Sequence, residues 1–288
     1  VTKVLLIDGM ALLFRAFYAT SVYGQFMKMK NGTPTNGIHG YVKHVLAAIH
    51  TIQPTHVIAC WDMGSTTFRT ESFEQYKANR VAPPDELKPQ FDLVKEASTL
   101  LHIPNIGLTG YEADDCIGTL AKVYGMEHEV FILTGDTDLF QLADQKVTIM
   151  LMRKGIGNYD LYTPERILEE KGVMPKQIVH VKAFMGDTSD NYPGVKGIGE
   201  KTAYKLIQQF GSVQGVLDNL SNLTKAQRTK IEENLEQLLL SLELAKIHCE
   251  VPIACELSEA VLRIEESHIR ELCLSLEWSR PEPFLSML

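Results

Sequence analysis

An α/β fold with a mainly parallel central sheet flanked by helices is predicted by three observations. Short apolar runs of β character alternate with helical stretches as far as Met152, the pattern of βα units. Two of these runs deliver an aspartate at their C-terminal end, Asp8 and Asp62, where open α/β sheets gather ligand-binding groups. From Thr163 the strand signal fades and helical spacing takes over.

Lys3 to Ile7 is the first run and ends in Asp8-Gly9; Met10 to Tyr18 follows with helical apolar spacing. Gly37 to Ile52 is a second helical stretch, and Thr55 to Trp61 a second strand closed by Asp62. From Gly64 to Pro89 the apolar period fades and Pro83-Pro84 interrupts any helix. Arg69, Lys77, Arg80 and Lys88 are interleaved there with Phe68, Phe73 and Tyr76. A partly ordered, solvent-facing insertion is expected. Charge that follows a backbone and rings that stack on bases suit a single-stranded nucleic acid. A solvated loop fits the same composition, because Glu71, Glu74, Asp85 and Glu86 dilute the positive charge.

Gln90 to Leu101 reads as a helix and Ile103 to Ile106 as a short strand. Glu112 to Tyr124 is helical, with Ile117, Leu120, Ala121 and Tyr124 on one stripe. Val130 to Leu133 and Val147 to Met152 are further strands. Pro164 to Lys171 and Pro175 to Met185 read as helices opened by proline. Thr224 to His248 is one long helix or a bent pair, and Glu265 to Leu276 a last helix. The expected division is a core over 1–175, with the insertion at about 64–90, and a helical region over 176–288, the two packed as one catalytic unit.

The composition, 45% hydrophobic and 22% charged, is that of a globular chain with a sizeable core. No apolar run reaches membrane-span length, so no membrane association is expected. The five cysteines are odd in number and scattered, which points to reduced thiols in a cytoplasmic protein. The net charge of −8 looks unsuited to nucleic acid. Setting aside the nine acids considered next leaves 27 acids against 28 Lys and Arg, so local basic faces decide.

Those nine are Asp8, Asp62, Glu112, Asp114, Asp115, Asp136, Asp138, Asp187 and Asp190. Glu112, Asp114 and Asp115 open a helix, where the dipole alone favours acids. Gly135-Asp136-Thr137-Asp138 follows a strand, and Gly186-Asp187-Thr188-Ser189-Asp190-Asn191 follows a helix. One such acid is commonly a cap or turn residue. The set, repeated at strand ends, suggests carboxylates gathered around hard divalent cations, which prefer oxygen ligands. Two metals about 3.5–4 Å apart can activate water and stabilise the leaving oxygen of a phosphodiester. No Ser-His-Asp or Cys-His pattern competes, and the nine histidines lack ligand spacing.

A second motif is the glycine hairpin Gly194-Val195-Lys196-Gly197-Ile198-Gly199, which opens a helix running to about Phe210. Gly197 and Gly199 allow a tight turn that aims backbone N–H groups at a phosphate, with Lys196, Lys201 and Lys205 beside them. A helix precedes this hairpin where a dinucleotide-binding fingerprint requires a strand. Gly211 ends the helix and Ser212 can cap the next.

With these words in view the chain resembles the 5′ nuclease (flap endonuclease) family, most closely small bacterial members similar to the 5′→3′ exonuclease domain of DNA polymerase I. The matching words are Leu5-Leu6-Ile7-Asp8-Gly9 with Arg15-Ala16-Phe17-Tyr18, Trp61-Asp62 with Thr67-Phe68-Arg69, and Tyr76-Lys77-Ala78-Asn79-Arg80. They continue with Tyr111-Glu112-Ala113-Asp114-Asp115, Gly135-Asp136-Thr137-Asp138-Leu139 and the run from Gly186 to Gly199. The resemblance implies a PIN-like or resolvase-like core and two-metal hydrolysis of branched or 5′-flap DNA, using magnesium or manganese, in replication or repair. It implies that Glu112, Asp114, Asp115 and Asp136 lean toward the first ion and Asp138, Asp187 and Asp190 toward the second, with Asp8 and Asp62 in support. The insertion would be a helical arch in which Lys77 meets the scissile phosphate, with Arg80, Tyr76 and Arg69 along the DNA. The hairpin, about 186–212, would be a helix-hairpin-helix holding duplex and a potassium ion through the carbonyls of Val195 and Ile198. The expected protein is a monomer working with a DNA polymerase in trans. A non-catalytic junction binder and a small-phosphate hydrolase are the alternatives. The complete acid set speaks against the first and the lysine-flanked hairpin against the second.

Overall fold

The computed structural model describes residues 1–22, 24 and 26–288. Six strands form one sheet in the order β3-β2-β1-β4-β5-β6. They are β1 Lys3–Asp8, β2 His56–Cys60, β3 Asn105–Ile106, β4 Glu129–Thr134, β5 Val147–Met152 and β6 Tyr159–Tyr162. The first five are parallel; β6 pairs antiparallel with β5. β1 sits between β2 and β4, with Leu5 beside Val57 on one side and Phe131 on the other. The winding reverses here, and the crevice at the carboxyl ends of these strands is where open α/β sheets bind ligands.

Parallel strands covered on both faces are apolar throughout, not alternating. Val4 and Leu6 face one core; Leu5 and Ile7 face the other. The second core lies under α1 (Gly9–Thr20), α2 (Asn36–Ile52) and α4 (Gln90–Leu100). The first lies under α5 (Ala113–Tyr124) and continues without a break into α6 (Pro164–Lys171), α7 (Ile178–Met185), α8 (Glu200–Phe210) and α9 (Val213–Asp218). Val195, Ile198, Leu206 and Ile207 of the hairpin thus belong to the same apolar body as β1 and β4. Gly9 lies against Trp61, where a Cβ would fall 2.5 Å from the indole, so the chain must carry glycine directly after Asp8.

The stretch from Thr224 to His248 is the bent pair, α10 (Lys225–Glu233) and α11 (Leu235–Ala245). The last residues return to the core: α12 (Glu266–Ser275) and α13 (Glu282–Leu285) pack there, and Trp278 Nε1 donates to Thr35 Oγ1 at 3.1 Å. The insertion departs from expectation. It holds one five-residue helix, α3 (Phe68–Ser72), followed by turns, in place of a helical arch. It is also partly built into the core side of the molecule, because Arg69, Tyr76 and Leu87 are buried. All five cysteines are free thiols.

Candidate metal centre and nucleic-acid interface

The carboxyl edge of the sheet carries the acids. Asp8 ends β1, Asp62 lies two residues past β2, Asp136 two past β4, and Glu112 caps α5. Asp8 is the N-cap of α1: its Oδ1 accepts from Ala11 N–H at 3.0 Å and its Oδ2 from the Thr134 hydroxyl at 2.7 Å. Asp62 Oδ1 accepts from Ala113 N–H at 2.7 Å, tying the end of β2 to the start of α5. Asp136 Oδ1 accepts from Asp138 N–H at 2.8 Å. Capping therefore fixes the orientation of these carboxylates and leaves oxygens over. Among the described residues, Oδ2 of Asp62, Oδ2 of Asp136 and both oxygens of Asp114 accept no hydrogen bond.

Crowding and burial strain this group electrostatically. Burial pushes the Asp8 carboxyl up to about 6, resisted by Ala11 N–H and Thr134, with Asp62 and Asp136 adding to the rise. Burial likewise raises Asp62 and, with Asp8 and Asp136 nearby, lifts Asp114 well above the carboxylate range. Lys77 acts against the rise at Asp62 and Asp114 without cancelling it.

The second half of the cluster is neutralised by the protein itself. Lys182, near the C-terminal end of α7, lies 2.7 Å from Asp138 Oδ1 and is paired with Asp187 Oδ2. Burial and Asp136 push Asp138 up to about 6 despite this lysine. Burial works upward on Asp187 too, but Lys182 and the N–H groups of Asp190 and Ser189 hold it below the usual carboxylate range. Asp190 accepts from Arg80 Nη2 at 2.8 Å and from the Tyr76 hydroxyl at 3.2 Å. The turn bearing Asp187 and Asp190 is closed by Gly194. Its φ is +61°, and a Cβ there would lie 2.3 Å from the Gly186 nitrogen.

Lys182 was not visible in the sequence as a site residue. The available signal was a lysine in the last turn of a helix leading into Asp187, and helix dipoles favour that arrangement anyway.

The insertion docks onto this turn. Lys77 N–H donates to Asp190 O at 2.8 Å, Asn79 Nδ2 to Thr188 O at 2.7 Å and Asn191 Nδ2 to Gln75 O at 2.6 Å. Lys77 has φ +57°, a conformation that costs a non-glycine residue energy and persists at over-determined sites. Its Nζ lies 2.5 Å from Glu112 Oε1. Lys77 and Arg80 thus reach the acid cluster.

Arg69 and Tyr76 are corrected. Arg69 is 2% exposed, and its guanidinium is wholly engaged. Nη1 and Nη2 each donate to Asp115 at 2.8 Å, Nη1 also to Glu112 at 3.1 Å, and Nε and Nη2 to the carbonyls of Leu244 and Lys246. Tyr76 is 3% exposed, with its hydroxyl on Glu112 and Asp190. Neither is placed to touch DNA. Asp115 is corrected with them: it is fully buried and accepts from Arg69, from Glu112 N–H at 3.0 Å and from His248 N–H at 2.8 Å. Among the described residues its two oxygens accept four hydrogen bonds, two each, so its acceptor capacity is consumed in holding the fold and it is closed to a metal.

The hairpin presents Lys196, Lys201 and Lys205 to solvent, and Gly199 caps α8, whose first N–H groups have no side-chain partner among the described residues. The side chains of Val195 and Ile198 are buried, and the Val195 carbonyl accepts from Ile198 N–H at 3.0 Å. Lys230 Nζ donates to the Gly197 carbonyl at 3.0 Å. Among the described residues no three His, Cys, Asp or Glu side chains close on a point as a finished metal cage. Lys77, Arg80 and Lys182 lie among the acids.

Residues 3–172 match the family model of the 5′-3′ exonuclease N-terminal resolvase-like domain, and residues 173–268 that of the 5′-3′ exonuclease C-terminal SAM fold. The chain belongs to the 5′-3′ exonuclease family. Its enzyme class is nuclease. It is 57% identical over 263 residues to the 5′-3′ exonuclease of Bacillus subtilis, covering 91% of this chain and 89% of that protein. It is 40% identical to the DNA polymerase I of Lactococcus lactis subsp. cremoris over 94% of this chain, but spans only 31% of that relative's length. The fold is also that of the bacteriophage T5 flap endonuclease in complex with DNA and metal ions, at TM-score 0.70 and 23% identity over 99% of this chain and 98% of that one. The catalytic core of Rad2 with DNA substrate shares it at TM-score 0.64 and 17% identity, covering 99% of this chain and 90% of that one.

Proposed function

We propose that this family member is a divalent-metal-dependent nuclease that hydrolyses DNA phosphodiester bonds, trimming 5′→3′ and cutting at the junction of a 5′ flap. The convergence of acids from the ends of β1, β2 and β4 and the starts of two helical segments carries the reading. A set of oxygen donors with no thiolate or imidazole suits hard cations such as magnesium or manganese. Glu112, Asp114 and Asp136, with Asp62 and Asp8 in support, would hold one ion, and Asp138, Asp187 and Asp190 the other. When bound, the pair supplies water activation and charge stabilisation at the leaving oxygen.

The chain's own residues do the rest. Lys77 and Arg80, now resting on Glu112 and Asp190, are positioned to bind the oxygens of a scissile phosphate in place of those carboxylates. Lys196, Lys201 and Lys205 and the N–H groups of α8 hold the duplex backbone without reading sequence. The carbonyls of Val195 and Ile198 are candidates for potassium. A separate polymerase would supply the synthesis step in trans.

The test is cleavage of a 5′-labelled flap duplex with and without magnesium, against a blunt duplex and a small phosphate ester. Magnesium-dependent cutting near the junction supports the proposal. Tight flap binding without cutting in magnesium or manganese would overturn it in favour of a junction binder.

A further inference from the structure

The two halves of the acid cluster are not alike. In the first, Lys77 and Arg69 pair with Glu112, but Asp62, Asp114 and Asp136 keep oxygens that accept no hydrogen bond among the described residues. In the second, one ammonium bridges the carboxylates: Lys182 reaches Asp138 at 2.7 Å and is paired with Asp187. Lys182 and both acids are largely enclosed, each side chain 13–17% exposed, so the pairing is poorly screened. The lysine is held on a packed helix whose Val181, Ala183 and Phe184 belong to the core, so its Cα has a fixed place relative to both acids.

We infer that Lys182 is a resident counter-cation that competes with the second divalent ion for Asp138 and Asp187, so that the two halves of the centre load unequally. The inference rests on the metal reading given above. A lysine ammonium and a divalent ion cannot share these oxygens without strong repulsion, so the ion must displace the ammonium. The molecule provides somewhere for it to go. Lys182 also lines a cleft of about 120 Å³ in the same wall, formed with Thr137, Lys171, Met185, Glu200 and Tyr204, where Glu200 offers another carboxylate. A four-carbon stem with freely rotating bonds can make that exchange without moving the helix. Lys182 is thus a positioning residue that acts through the acids, and it holds the DNA-free protein short of full metal occupancy.

The experiment is manganese binding to the DNA-free protein, read from the electron paramagnetic resonance signal of free Mn²⁺. The wild type is expected to take up one ion more tightly than the second. Lys182→Met is expected to tighten the weaker site by roughly tenfold or more, while Lys182→Arg, which keeps the charge, stays near wild type. Superimposable isotherms for wild type and Lys182→Met would overturn the inference while leaving the metal reading intact. So would loss of the second ion in Lys182→Met. If the wild type bound no manganese, both would fall. Should Lys182→Met fail to fold by circular dichroism, Lys182→Gln keeps a polar head in the same place and is held to the same outcomes.

Discussion

Replacing Arg69 by methionine tests whether this residue holds the fold or the nucleic acid. The guanidinium is buried and makes two bonds to Asp115, one to Glu112 and one each to the carbonyls of Leu244 and Lys246. It joins the insertion, the start of α5 and the end of α11. Methionine would leave Asp115, which is fully buried, with two backbone N–H donors and no counter-charge. Breaking a buried pair by removing one partner costs about 3–5 kcal/mol. At about 2–3 °C per kcal/mol for a chain of this size, the melting temperature should fall by roughly 6–15 °C. The double variant Arg69→Met with Asp115→Leu removes the stranded charge and should recover part of that loss. Duplex binding measured well below the melting point should be unchanged in Arg69→Met. A melting temperature within about 2 °C of wild type, together with weakened DNA binding, would refute the assignment and restore Arg69 to the interface.

The other predictions follow from the same geometry. Asp136→Asn keeps the cap on Asp138 N–H, so the protein should melt like wild type yet lose more than about a hundredfold in cleavage rate, beyond what outer-sphere partners of metals usually carry. Unchanged turnover in magnesium would refute it. Lys77→Ala should slow cleavage far more than it weakens duplex binding, because Lys77 reaches Glu112 and not the hairpin; equal losses in both assays would count against that placement. The Asp8 carboxyl, raised to about 6 in the fold against about 3.8 unfolded, binds its proton more tightly when folded. Its protonated form therefore favours folding at low pH, and that contribution is lost as pH rises from about 4 to about 6. His39 and His44, held near 4 by burial, act in the opposite sense, so the comparison is between wild type and Asp8→Asn at each pH in a chelator. The stabilisation by Asp8→Asn should be near zero at about pH 4 and on the order of 2 kcal/mol at about pH 7 in urea titrations. A difference that is flat with pH would refute it.

The parallel strands could be read because burial on both faces leaves continuous apolar runs, as in Leu5-Leu6-Ile7 and Val57-Ile58-Ala59. β6 was missed because an antiparallel edge strand is only half covered: Tyr159-Asp160-Leu161-Tyr162 buries Tyr162 and exposes Leu161. The acids were legible through their position at strand ends. Their division of labour was not. Asp115 looks like its neighbours in the sequence, and its partner Arg69 lies 46 residues away in a segment with the composition of a loop. A long-range pair of this kind leaves no local period. Lys182 was hidden for the related reason that a lysine in the last turn of a helix already has an ordinary explanation.

Capping and metal binding are not competing explanations for these acids. Asp8, Asp62 and Asp136 each spend an oxygen on a backbone N–H at the start of a helical segment. That bond removes side-chain freedom before any cation arrives, so the ordering cost of assembling the centre is met by folding. The helix starts also supply fixed positive dipole ends beneath a crowd of negative charge, which offsets part of the repulsion. Burial first, and then the repulsion that the dipoles leave, shows in the raised Asp8, Asp114 and Asp138 carboxyls. The lysines and arginines that approach the cluster take up the remainder, and each must yield for the site to work. Asn variants at the capping acids separate the two duties, because they keep the acceptor oxygen for the cap and lose the charge that a divalent ion requires. Where an Asp→Asn change leaves melting intact and removes metal affinity, the residue's charge serves chemistry. Where it lowers the melting temperature as Arg69→Met does, the charge serves the fold, and Asp115 is the acid expected to behave that way.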